Sequence, residues 1–359
     1  SNVTNSILAS SEMTKAGVVV GPRTFSTGTI LYGAAGSFKA VVNSYEDALF
    51  HLSRMKKKGA WSVKSYNQPR RDQRQQIVEA ARELGMQVVP EGGATFMHNM
   101  TMIVDGHTGI EHTLPVEDIY LDVLQLWVGT EVGMTPTLSV AYGGMGGEYW
   151  WYQEDDVWRD ARVAEFVPPN IVEPRAKRRQ KAPREDYNHF NSAAMCKKLV
   201  DIGINVQPGG HGQLQGLNTH WEMWMMVQGG MTEHEALRSG TLSAARHFSM
   251  SRDLGSLEVG KLADVLVLEE GADPLEDIRD SSSIEWVIAN GRVFESRTMN
   301  QLSPEFVERG SFFWERDGFD GRIGSPPLGT ECMGCGAPGI AHWHEDLHGE
   351  VVGGCEHGG

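Results

Sequence analysis

A chain of 359 residues with a net charge of −15, 40 % apolar and 22 % charged, has room for one large α/β domain or two smaller ones. No apolar run approaches the ~20 residues needed to cross a bilayer. The acidic balance argues against nucleic acid, whose phosphates demand a basic footprint; the one dense basic cluster, RAKRRQK at Arg175–Lys181, reads as a solvated loop.

The chain opens at Ser1 without a methionine, a positive n-region or an apolar h-region, so no signal peptide is expected in this form, which is expected to be processed or a piece of something longer. NSILASSEMTKAG reads as a helix stopped at Gly17, and PRTFSTGTILYG as a strand. SYEDALFHLSRMKKKG is a helix with Ser44 at its N-cap, acids in the first turn and lysines in the last. A short strand ending at Lys64 follows, then the helix RRDQRQQIVEAARELG, then the strand MQVVPEGG containing Glu91. TGIEHTLP is another strand, followed by the helix VEDIYLDVLQLWVG and the strand GMTPTLSVAYGG. Repeated β–α units with short turns imply a parallel sheet with helices outside it.

From Gly143 to about Asn191 this pattern dissolves into a Gly-rich, aromatic and then Pro- and charge-rich stretch, expected to be a structureless lid or mobile segment over the substrate. The repeat resumes with NSAAMCKKLVDIG, the strand INVQPGG, a Trp/Met-rich helix and a helix opened by a Thr232/Glu235 capping box. Cys196 reads as a buried small residue. The expected domains are an α/β unit at 1–252 interrupted at 143–191, a small β layer at 253–300 (a barrel and a β-sandwich segment by the family resemblance that follows), and a Cys/His-rich tail at 301–359.

Parallel α/β sheets carry their sites at the C-terminal ends of the strands. Lys64, Glu91, His112 and His211 stand at four such ends, and oxygen and nitrogen donors of this kind suit Zn²⁺ or another divalent ion. The plain alternative for Lys64 is a salt bridge to Glu91. Tyr66 and Tyr142 are candidate pocket residues, and His98, His107 and His220 lie near the same segments. In the tail, Cys332 and Cys335 form a C-x-x-C followed by Cys355 and His357, a candidate metal clip with a disulfide as its rival.

The segments GPRTFSTGTILYG, AWSVKSYN, GIEHTLP and MTEHEALRSGTLSAARHFSM with LGSLEVGKLADVLVLEEGADPLEDI resemble the metal-dependent amidohydrolase superfamily, in its imidazolonepropionase- and prolidase-like branch. The resemblance runs from about Asn5 to Phe294 and implies a (β/α)8 TIM-type barrel, incomplete here because strands one and two, with their His-x-His pair, are missing. It implies that Lys64 is carboxylated and that Lys64, Glu91, His112 and His211 ligate one or two divalent metals, His211 also accepting a proton from water. Glu91 stands where the family has a histidine, and His211 where it has an aspartate. The implied activity is metal-dependent hydrolysis of a C–N bond in a small amide or peptide; the alternative is a non-catalytic metal- or ligand-binding module of a larger protein. Resembling proteins that share the stretches VPEGG, DGHTGIEH and GGHGQLQG carry a β-propeller ahead of this region, which makes the missing N-terminal part or an oligomeric partner the expected complement, and a periplasmic or exported location the preferred one.

Overall fold

The computed structural model describes residues 6–32, 40–66, 68 and 70–315, and two short strands beyond them, His344–Glu345 and Val351–Val352, which pair antiparallel. The tail residues Cys332, Cys335, Cys355 and His357 lie outside the described residues. The chain divides into two compact units, Ser1–Trp151 with Lys181–Arg292, and Tyr152–Gln180 with Val293–Gly359.

The first unit is built on parallel strands in chain order. β1 (Leu31–Tyr32) pairs with β2 (Ser62–Tyr66), and β2 with β3 (Gln87–Pro90). A parallel bridge between Glu91 and Glu111 continues the order to β4 (Gly109–Glu111), which pairs with β5 (Gly133–Thr135); a bridge from Met134 to Val206 extends it once more. Neighbours in space are thus neighbours in sequence, as a singly wound barrel requires and a doubly wound sheet does not. Among the described residues of the long stretch PRTFSTGTILYG, only Leu31–Tyr32 form a strand.

Helices cover the outer side. In Tyr45–Lys57 the Ser44 hydroxyl accepts from the Asp47 N–H, acids fill the first turn and bases the last. Arg71–Leu84 stops at Gly85, which sits at φ 61°, a left-handed cap that costs glycine nothing. Leu52, Met55, Ile77, Val78, Ala80 and Ala81 from these helices bury Val63 and Val88 of the strands. Since side chains alternate along a strand, the positions next to Val63 and Val88 face the other way: Lys64 and Tyr66 on β2, Gln87 and Val89 on β3.

At the N-terminal end of β4 and β5 two glycines lie in register, Gly109 beside Gly133. The His247 imidazole occupies the space they leave: a Cβ on Gly133 would stand 2.3 Å from its Nδ1, and one on Gly109 would stand 2.8 Å from its Cε1. The Gln87 amide donates to the His247 carbonyl (2.8 Å). Burial pushes the His247 pKa down to about 4, so the ring that fills this floor is neutral.

The stretch expected to be structureless is helical. It forms Gly147–Glu154, Ala161–Phe166 and Pro169–Lys177. Asp160 caps the second by accepting from the Arg162 and Val163 N–H groups, and proline at the first position suits the third. Val157, Val163 and Val172 are buried. In the first unit Trp151 packs against Trp221 and Trp224, so it serves as core. The remaining helices include His189–Asp201, Leu217–Gln228 and Glu233–Arg238; the last opens with the reciprocal Thr232/Glu235 box. Cys196 is buried and free. β6 (Val265–Leu268) and β7 (Ile284–Ala289) pair antiparallel in the first unit. β8 (Arg292–Glu295) and β9 (Gln301–Ser303) do so in the second.

Candidate functional site

Lys64 on β2 reaches Glu91 just beyond β3, with Nζ 2.6 Å from Oε2. The other oxygen, Oε1, faces His112 Nε2 at 3.0 Å. One carboxylate therefore joins two strand ends, and both of its oxygens are engaged. Burial works to raise the Glu91 pKa, but the His112 hydrogen bond and the Lys64 charge outweigh it and hold it at about 2. The carboxylate stays ionised through the whole physiological range.

The backbone turns His112 towards this rim. By strand alternation it would face opposite to Glu111, towards the helices. It adopts φ 70° instead, a left-handed conformation uncommon outside glycine. Thr137, beyond β5, and His211, beyond Val206, do the same at 52° and 49°. Three ends of adjacent strands thus hold a non-glycine residue in strained backbone, a cost that surrounding structure must over-determine.

The His112 ring stacks on Tyr142 (centroids 5.7 Å) and meets His211 edge-on (5.2 Å). Tyr66 lies beneath the Lys64 ammonium, 5.5 Å from ring centroid to Nζ. All six residues singled out on the parallel strands are therefore gathered on one rim. Burial, with the Glu91 charge added, pushes the Tyr142 phenol up to about 12, so it remains a donor. His211 is exposed, its Nδ1 3.1 Å from Gln213 Oε1.

Two acids escaped the sequence reading. Glu111 follows the inward alternation of β4 and feels the charges of Lys64, His112 and Glu91; although partly accessible, it is hemmed in by protein, and this burial pushes its pKa up. Glu222, fully buried in Leu217–Gln228, receives the N–H groups of Leu138 (2.9 Å) and Ser139 (2.8 Å). A strand-end signal existed for the first, since Glu111 adjoins His112; a glutamate inside a Trp/Met helix gives none. His107 and His220 are packing residues: His107 Nδ1 bonds the Met102 carbonyl (3.0 Å), and His220 Nδ1 the Ser281 hydroxyl (3.0 Å).

A metal site would need open donors. Each Glu91 oxygen already faces a protein partner, Lys64 at one and His112 at the other, while His112 keeps Nδ1 buried and unpartnered among the described residues. No three His, Cys, Asp or Glu side chains are grouped to hold a metal among the described residues. What these residues form is an ion-paired Lys–Glu–His rim that falls short of a complete metal site.

Parallel strands in chain order with polar groups gathered at their C-terminal ends define an α/β barrel-type protein with a rim site. Residues 189–294 match the amidohydrolase family. Among solved structures, an Xaa-Pro dipeptidase with bound methionine in the active site is similar at TM-score 0.60 and 22 % identity, over 82 % of this chain and 73 % of that one. A prolidase complexed with N-methylphosphonate-L-proline is similar at 0.59 and 19 %, over 82 % and 74 %. A 5-methylthioadenosine/S-adenosylhomocysteine deaminase from Caldanaerobacter subterraneus subsp. tengcongensis is 27 % identical over 149 residues, 35 % of this chain and 34 % of the deaminase. The match spans about a third of that relative.

Proposed function

We propose that this chain carries the site of a hydrolase acting on C–N bonds of small amides or dipeptides. The observation that supports it is the meeting of Lys64, Glu91, His112 and His211 on one strand-end rim, with Tyr66 and Tyr142 beside them. The family match and the dipeptidase, prolidase and deaminase relatives point to the same bond type.

In this reading His211, exposed beside His112, takes a proton from the attacking water and returns it to the leaving nitrogen. Lys64 and the Tyr142 hydroxyl face the oxygen on which charge develops. Glu91 holds the Lys64 ammonium and the His112 ring in place. A divalent metal, with a carboxylated Lys64, is the family expectation; it requires donors beyond the described residues and release of Lys64 from Glu91. A propeller-bearing parent supplying strands one and two would be one source of those donors.

The engagement of both Glu91 oxygens by Lys64 and His112 favours a second reading, a barrel that keeps its rim and binds without catalysis. Incubating the protein with N-acyl amino acids and dipeptides, with and without added Zn²⁺ or Mn²⁺, separates the two. Turnover lost in His211→Ala supports the hydrolase. Binding of these compounds without turnover under every condition sinks it.

A further inference from the structure

Tyr142 and His211 come from different loops, yet both flank His112, and one side chain holds both loops. Glu222 Oε1 accepts from the Ser139 N–H (2.8 Å) and hydroxyl (2.7 Å). Its Oε2 accepts from the Leu138 N–H (2.9 Å) and, more weakly, from the Gly209 N–H (3.4 Å). Leu138 and Ser139 lie in the turn that leads to Tyr142, and Gly209 in the turn that leads to His211. Asn218, one helical turn earlier, repeats the grip: its amide donates to the Gly210 carbonyl and its Oδ1 faces the Ser139 hydroxyl (2.9 Å). The two turns also touch directly, since a Cβ on Gly209 would stand 2.5 Å from Thr137 Oγ1. Glu222, Asn218 and Ser139 are each buried.

We propose that Glu222 is a positioning residue that sets the distance between Tyr142 and His211 across His112 by clamping the turns after β5 and after Val206. This rests on the hydrolase reading for its rate consequences but not for its geometry. A carboxyl group is the fitting clamp because every neighbour of its oxygens is a donor. An amide fits worse: at one end its NH₂ meets the Ser139 N–H, at the other those of Leu138 and Gly209. The strain at Thr137 and His211, at φ 52° and 49°, is what such a clamp would have to sustain.

The test compares the full chain with Glu222→Gln and Ser139→Ala. The latter removes one hydroxyl and keeps all three backbone bonds, so it decides the matter if Glu222→Gln fails to fold. On a dipeptide that the parent hydrolyses, kcat should fall roughly 10- to 100-fold in Glu222→Gln and about threefold or more in Ser139→Ala, with KM moved much less, as misplacement of reacting groups demands. Independently of turnover, acylation of His211 by diethyl pyrocarbonate, followed by peptide mass spectrometry, should speed up about threefold or more as the strained turn relaxes. Folded variants with parental His211 reactivity and parental kcat overturn the clamp. If the parent hydrolyses nothing, the hydrolase reading falls, and the reactivity of His211 alone decides the clamp.

Discussion

The two ends of the parallel strands solve opposite problems with the same residue type. At the C-terminal rim His112 is held in left-handed backbone against an ionised Glu91. At the N-terminal floor His247 sits neutral between two glycines. The rim concentrates charge, open ring nitrogens and strain; the floor gives up two side chains, at Gly109 and Gly133, to make room for one imidazole. An unstrained, apolar packing of both ends would be more stable, so the strain that remains points to where selection acted on something besides folding.

The floor should be the easier end to break. Gly133→Ala drives a methyl into His247 and should cost about 3 kcal/mol, the upper range for overpacking. His247→Ala in the same chain should recover a large part of that loss, read as urea midpoints in a double-mutant cycle. Additive losses would show that the glycine serves something other than the ring.

At the rim, Glu91→Ala strands the Lys64 ammonium and should cost about 2 to 3 kcal/mol, with Lys64→Met on top restoring stability but not turnover. A variant as stable as the parent would mean that the Lys64–Glu91 pair is not maintained in solution.

Acid separates the ends in a single titration. His247, His107 and His189 are each pushed by burial to about 4, from 6.5 when exposed. The unfolded chain binds their protons first, so stability should decline as pH falls from 6.5 towards 4. Glu91 is depressed to about 2 from 4.5, and its contribution should persist down to 4.5 and vanish only as pH falls through 2. Denaturant midpoints that stay flat between pH 6.5 and 4 would contradict the neutral floor. The smallest effect on stability belongs to His211→Asn, within about 0.5 kcal/mol for an exposed residue whose replacement tolerates left-handed backbone, although turnover should collapse.

The sequence made the rim legible because strand periodicity is short and strict. Lys64 and Tyr66 share a face by parity, and the Gly-rich turns mark where each strand stops. Glu111 was hidden by its neighbour, since adjacent strand residues are assigned to opposite faces and the turn at His112 breaks that rule. Glu222 was hidden because its partners, Leu138, Ser139 and Gly209, lie elsewhere in the sequence and bind it through backbone N–H groups and a single hydroxyl. The helices of 147–177 were missed because each is about two turns long, too short for a 3.6-residue period to show amid prolines and glycines. The Lys64–Glu91 ion pair was one of two readings left open, and the choice between it and a carbamate depends on what else fills the rim.

The left-handed backbone at His112, Thr137 and His211 has a practical outcome for directed evolution. A library selected only for heat resistance should drift towards glycine or, less strongly, asparagine at these three positions, since glycine relieves roughly 1 kcal/mol of backbone strain and asparagine only a part of it. Thermostability gained there would trade away the rim, so the positions where a stability screen and an activity screen disagree would trace the working surface of the molecule without a ligand ever being soaked in.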